Sequence, residues 1–130
     1  NTGCATAARQ AYEMSGLKPQ DIDIVQTSAP FSFVHLMMLE ELGFCKKGEG
    51  GPFVMDGHID FDGGMPFNTM GGYLSFGQMA QGLYNLHETI DQLWGQAEGR
   101  QVPDAHVGLV HGHGGILASH SVMIVSKERA

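Results

Sequence analysis

Positive charge is what this chain has least of. It carries 7 Lys and Arg against 14 Asp and Glu, a formal net charge of −7. Nucleic acids and anionic membrane surfaces are bound through clustered Lys and Arg. No basic stretch offsets the acidic balance, so neither partner is expected. Long apolar runs are missing too. A helix that spans a bilayer needs about 20 apolar residues in a row, and no run approaches that; a signal-peptide pattern is also absent. Cysteine is scarce. Cys4 and Cys45 make neither a disulfide framework nor a zinc ribbon, so a reducing, cytoplasmic setting is the expectation. The chain begins at Asn1 rather than Met and reads as a piece of something longer.

Glycine is abundant instead. The 19 Gly are about twice average usage, which points to tight loops and close backbone approach. The apolar share of 42% is enough for the core of one domain spanning residues 1–130. The periodicity predicts a helix over residues 6–15, with Ala7, Ala8, Ala11 and Tyr12 on one face and Gly16 as its stop. Residues 22–26 are short and β-rich, a predicted strand. Residues 31–42 are apolar almost all round, so that helix is expected to be buried on most faces. Residues 43–74 form a long Gly-rich connection, a kind of segment that is usually functional. A helical stripe follows over residues 75–94: Phe76, Met79, Ala80, Leu83, Leu86, Ile90 and Leu93. Two strands are predicted at 105–110 and 118–125, paired antiparallel through a turn that holds His111, Gly112, His113, Gly114 and Gly115. The order of elements predicts an α/β layered domain.

Several segments carry chemistry-bearing residues. Asn68 to Gly72 precede a helix, and backbone N–H groups at such a start hold anions; the alternative is that these glycines only turn the chain. His106, His111, His113 and His120 raise the question of a metal. Zinc needs three or four converging ligands. His111 and His113 share a face if that stretch is extended, but the sequence offers no obvious third ligand, so no metal is expected. The segment DGHIDFDGG places Asp56, His58, Asp60 and Asp62 at alternate positions. A calcium loop needs Gly and Glu where Phe61 and Phe67 stand, so a solvated acidic loop is expected. Met37 and Met38 read as core filler.

Three stretches in register resemble the thiolase superfamily, in particular its sterol-carrier and lipid-transfer type and the acetyl-CoA acetyltransferases. They are DIDIVQTSAPFSFVHLMMLEELGFCKKGEGG, MPFNTMGGYLSFGQMAQG and VGLVHGHGGILASHSVMIV, and their order and spacing agree over residues 6–126. The resemblance implies the C-terminal half of a fold built from two αβα halves, with a mixed sheet. The N-terminal half of that fold supplies a nucleophilic Cys, and neither Cys4 nor Cys45 matches it. The resemblance further implies acyl-CoA chemistry, either acyl transfer or the making and breaking of carbon–carbon bonds. A coenzyme A thioester would be the substrate, with no separate cofactor. The partners would be an N-terminal thiolase half and a second copy in a two-fold dimer.

Three acid–base positions of the family carry over onto different residues here. Ser28 stands where the family has Asn or His before its Phe. Gln78 stands where it has the His of its GHP motif. His111 stands near its second catalytic Cys, with His113 as a further candidate two residues on. Gln can donate a hydrogen bond but is no base near neutral pH, whereas His can shuttle protons. Phe31, Asn68, Gly71 and Gly72 are the implied substrate-binding positions. Thiolase-like retro-aldolases use tyrosines instead, and Tyr73 lies near enough in sequence to substitute. Three readings follow: a divergent enzyme, a non-catalytic partner subunit, or a module that binds acyl-CoA or lipid.

Overall fold

A computed structural model describes residues 2–75 and 81–128. The chain folds into α1 (Cys4–Ser15), a 3₁₀ turn, β1 (Ile24–Thr27), α2 (Ser32–Glu41), α3 (Gly50–Met55), α4 (Gly72–Ser75), α5 (Gln81–Trp94), β2 (Val107–Gly114) and β3 (Ser119–Ser126). The sheet order is β1-β2-β3. β1 runs parallel to β2, and β2 runs antiparallel to β3. The sheet is therefore mixed, and helices cover it on both sides. No helix among the described residues is long and apolar enough to cross a membrane.

The two faces follow from strand alternation. On one side, Val25 and Leu109 pack with Cys4 and Ala8 of α1 and with Val34, Met38 and Leu39 of α2. On the other, Ile24 packs with Leu93 of α5 and with Val102 and Ala105. α1 ends as its sequence indicates: Gly16 takes the left-handed φ of 72° and its N–H donates to Tyr12 O at 2.9 Å.

Three expectations need correction. The helix expected over 31–42 is buried or half-buried only from Val34 onward. Val34, Met38 and Leu39 are buried, but Phe31 and Phe33 stand 59% and 58% exposed, stacked with ring centroids 5.8 Å apart. The long connection over 43–74 is not without structure. It holds α3 and α4, and its Pro66–Asn68 stretch lies along β1, with Val25 N–H donating to Pro66 O and Asn68 N–H to Val25 O at 3.0 and 2.8 Å. Finally, His111 to Gly114 belong to β2 itself rather than to a turn. Their glycines serve cross-strand closeness: a Cβ on Gly112 or Gly114 would lie 3.1 or 2.7 Å from the facing Ser121 or Ser119 hydroxyl. Of this glycine run Gly115, in the true turn, is the one with positive φ, at 61°, and Leu117 shares that conformation at 53°.

Gly108 is the tightest point between the sheet and α5. A Cβ there would stand 2.4 Å from Thr89 Cγ2 and 3.2 Å from Ile24 Cγ1. Overpacking of this kind costs about 1–3 kcal/mol. Gly108→Ala is expected to lower the denaturant midpoint accordingly, with an unchanged midpoint as the contrary result.

Candidate functional site

β2 alternates, so Val107, Leu109, His111 and His113 project to the side of α1 and α2, while Gly108 and Val110 face α5. β3 pairs His120 with His113 and Val122 with His111. Three histidines thus gather on one face at the turn end of the hairpin. Ring centroids are 5.3 Å apart for His111 and His120, 6.2 Å for His111 and His113, and 6.3 Å for His113 and His120. The first turn of α1 closes over this group and brings Cys4, which is fully buried, against it. One ligand atom from each of Cys4, His111 and His120 lies within 4.8 Å of the others. Sequence reasoning missed Cys4, because only the docking of α1 on β3 brings residue 4 to residue 111.

The hydrogen bonds assign the tautomers. His120 Nε2 lies 3.2 Å from Leu117 O. A carbonyl only accepts, so Nε2 carries the proton and Nδ1 of the neutral ring accepts. His111 Nε2, 3.0 Å from that Nδ1, is therefore the donor. His111 Nδ1 is left as a bare lone pair, buried and without a partner. Burial pushes His111 down to about 3, with His120 and His113 adding to the effect, so this ring is neutral at ordinary pH. Burial likewise pushes the Cys4 thiol up to about 12, with Glu41 reinforcing it. Cys4 is thus a thiol rather than a nucleophilic thiolate.

His113 differs from its neighbours. Neither of its ring nitrogens meets another side chain; among the described residues the Gly115 backbone is the one polar group close enough to favour the charged ring. Burial, and then His120, hold it below the usual histidine value. Tyr73 stacks near it, with centroids 6.5 Å apart.

The other expected site residues are distributed as follows. Ser28 N–H donates to His111 O at 3.0 Å, so the two backbones are adjacent. The Ser28 side chain turns to the other face, where Asn85 of α5 donates to its Oγ at 3.2 Å. The Asn68 carboxamide is taken up by the chain itself: its Oδ1 accepts from Thr27 N–H at 2.6 Å and its Nδ2 lies 3.2 Å from His35 Nε2. Asn68, Gly71 and Gly72 all have positive φ, which fits a tight turn into α4. Phe31 flanks the N-terminus of α2, exposed. Gln78 lies outside the described residues. A cavity of about 420 Å³ lies between Thr69, Tyr84, Glu88 and Arg100. It belongs to the α5 side, where His87 also lines it, and not to the face of His111, His113 and His120.

Comparison with known proteins agrees with this architecture. The family described as Thiolase C-terminal domain-like matches residues 1–127. An acetyl-CoA acetyltransferase of Methanothermobacter thermautotrophicus is 40% identical over 123 residues, covering 93% of this chain and 32% of that protein. Sterol carrier protein 2 of Oryctolagus cuniculus is 43% identical over 110 residues, covering 83% of this chain and 20% of that protein. A solved structure, the Ltp2-ChsH2(DUF35) aldolase, superimposes with a TM-score of 0.86 at 29% identity, covering 97% of this chain and 32% of the other. The chain thus spans a third or less of the length of each. With the family matched over nearly every residue and the mixed, two-faced sheet in agreement, this chain belongs to the thiolase C-terminal domain-like family.

Proposed function

We propose that this chain is the C-terminal half of a thiolase-like enzyme acting on acyl-CoA thioesters, completed by an N-terminal half that supplies the nucleophile. The observation that carries the reading is His113 of the β2–β3 hairpin, a partly buried ring whose nitrogens meet no other side chain, beside Tyr73. Breaking a carbon–carbon bond next to a thioester carbonyl leaves an enolate, which an imidazolium protonates. In the condensing direction the neutral ring removes the same proton. His113 suits this exchange better than His111, whose Nε2 already donates to His120. Ser28 lies behind this strand pair and acts through the backbone it shares with His111. Gln78 is assigned as a hydrogen-bond donor to the thioester carbonyl.

Two further observations support the reading. The relatives are about three times as long as this chain or longer, which leaves room for another half. The exposed, stacked Phe31 and Phe33 lie at the start of α2, where an apolar partner surface would cover them. The same face is assigned to pairing between copies. The similarity to an aldolase extends the reading from acyl transfer to carbon–carbon cleavage.

The test is an assay of coenzyme A release or β-ketoacyl-CoA cleavage with the halves separate and together. Turnover is expected only when both are present. Turnover by an N-terminal half that is unchanged on adding this chain would sink the proposal.

A further inference from the structure

We infer that Cys4, His111 and His120 form a binding site for a zinc-class divalent transition metal, set between the first turn of α1 and the β2–β3 hairpin. The inference is independent of the enzymatic reading. It starts from the convergence of one sulfur and two imidazole nitrogens, all within 4.8 Å of one another. Zinc bonds of about 2.3 Å to sulfur and about 2.0–2.1 Å to nitrogen, held tetrahedrally, put two imidazole nitrogens roughly 3.3 Å apart and sulfur roughly 3.6 Å from each. His111 Nε2 and His120 Nδ1 already stand 3.0 Å apart. Cys4 Sγ lies within 4.8 Å of both, so the sulfur is what moves as the site closes.

The surroundings are those of a ligand set. A metal-bound histidine typically donates its other ring N–H to a carbonyl or carboxylate. His120 does so, through Nε2 to Leu117 O at 3.2 Å. Both Cys4 and His111 are fully buried, which keeps competing water from their ligand atoms. His111 Nδ1 has no hydrogen-bond partner, so it is free to take the ring proton when Nε2 turns to an ion. Glu41, held ionised by Thr2 N–H at 2.9 Å and by the Thr2 hydroxyl, brings negative charge to bear on both Cys4 and His111. One sulfur and two imidazoles select zinc-class metals over calcium or magnesium, which want oxygen. Three protein ligands leave the fourth tetrahedral position for a further donor.

Binding has a defined proton balance. The Cys4 thiol loses its proton to solvent as the sulfur–metal bond forms. The proton shared between the two histidines moves to His111 Nδ1, where no donor opposes it. One proton is released per metal bound. The ion ties residue 4 to residues 111 and 120, and so clamps α1, which has no side-chain N-cap, onto the hairpin.

The test uses the 130-residue chain, with any purification tag removed, stripped by a chelator and titrated with cobalt(II) and then zinc. One equivalent of cobalt is expected to produce a thiolate-to-metal charge-transfer band, which one equivalent of zinc then abolishes. Removing a group that only hydrogen-bonds a metal ligand typically weakens metal sites about 10–100-fold, so loss of the ligand itself in Cys4→Ala is expected to weaken zinc at least ~100-fold and to remove the band. His120→Asn is expected to weaken zinc likewise, and serves if Cys4→Ala does not fold. His113→Ala is expected to bind as the unaltered chain does. No charge-transfer band in the unaltered chain overturns the inference. So does a band that survives Cys4→Ala and disappears in Cys45→Ser. None of these readouts involves thioester turnover, so a failure here and a failure of the proposed enzymatic role are distinguishable.

Discussion

Arg100→Ala is expected to lower the unfolding free energy by about 3 kcal/mol, enough to shift the melting temperature by roughly 10 °C. The reason lies on the α5 side of the sheet. Glu88 is 1% exposed, and Arg100 meets it with Nε on Oε2 at 2.9 Å and Nη2 on Oε2 at 2.7 Å. Gln92 Nε2 donates to Glu88 Oε1 at 2.9 Å, and the Thr69 hydroxyl donates to it as well. Thr69 in turn accepts from Gln26 of β1 at 2.7 Å. The network therefore ties α5, β1, the 66–69 loop and the 95–101 connection through one carboxylate. Removing Arg100 leaves that charge buried and uncompensated, the costly way to break such a pair. Glu88→Gln keeps most donors and no charge, so it should cost less, and Arg100→Ala on that background should cost little more. Burial alone would raise the Glu88 pKa, but hydrogen bonds from Arg100, Thr69 and Gln92 outweigh it and hold it below 4.5. A depressed carboxyl contributes stability above its unfolded value and loses it as pH falls through the folded value. The advantage of the unaltered chain over Glu88→Gln should therefore be full above pH 4.5 and vanish in stronger acid. An Arg100→Ala chain as stable as its parent at pH 7 would show that water already screens the pair.

Most of the architecture was legible because it obeys simple periodicities. The stripe Leu83, Leu86, Ile90, Leu93 does lie on a helix, but it is not the face that helix buries: Asn85, Glu88, Thr89 and Gln92 go inward with Leu93, and Leu83 stands 70% exposed. The β2–β3 pair was legible for the same reason. What misled was glycine. The run from Gly112 to Gly115 reads as a turn, since glycine is the usual residue of turns. Here Gly112 and Gly114 are strand residues that make room for Ser121 and Ser119, and only Gly115 turns the chain. The error moved the hairpin tip by several residues, and with it the histidines. α2 misled differently. Phe31, just before it, and Phe33 in its first turn look like core residues, and nothing in a single sequence tells a face buried within a chain from one buried against another. The histidine cluster was half legible: alternation placed His111 and His113 together once the strand was extended. His120 and Cys4 join them only through cross-strand register and the docking of α1, which no local pattern encodes.

The geometry of that cluster makes His113 the residue whose loss should matter most to chemistry. In the protein completed by its N-terminal half, His113→Ala is expected to lower kcat by about 10²–10⁴-fold, the usual contribution of a positioned proton-transfer group. KM should change little, because the ring is assigned to moving a proton rather than to holding the thioester. His113 is the member of the trio whose nitrogens meet no other side chain, so its removal costs at most a weak contact with the Gly115 backbone, and the fold should melt nearly as before. His111→Ala is a different experiment. It deletes a fully buried ring that donates to His120, so it should cost stability as well as activity, and it should abolish cobalt binding where His113→Ala leaves that intact. Two neighbouring strand positions thus separate two duties of one hairpin: His111, turned inward to Cys4 and His120, and His113, left free beside Tyr73. A His113→Ala protein with unchanged kcat, its partner half present, would take this ring out of the mechanism and shift the proton-carrying role to Tyr73 or to the other half.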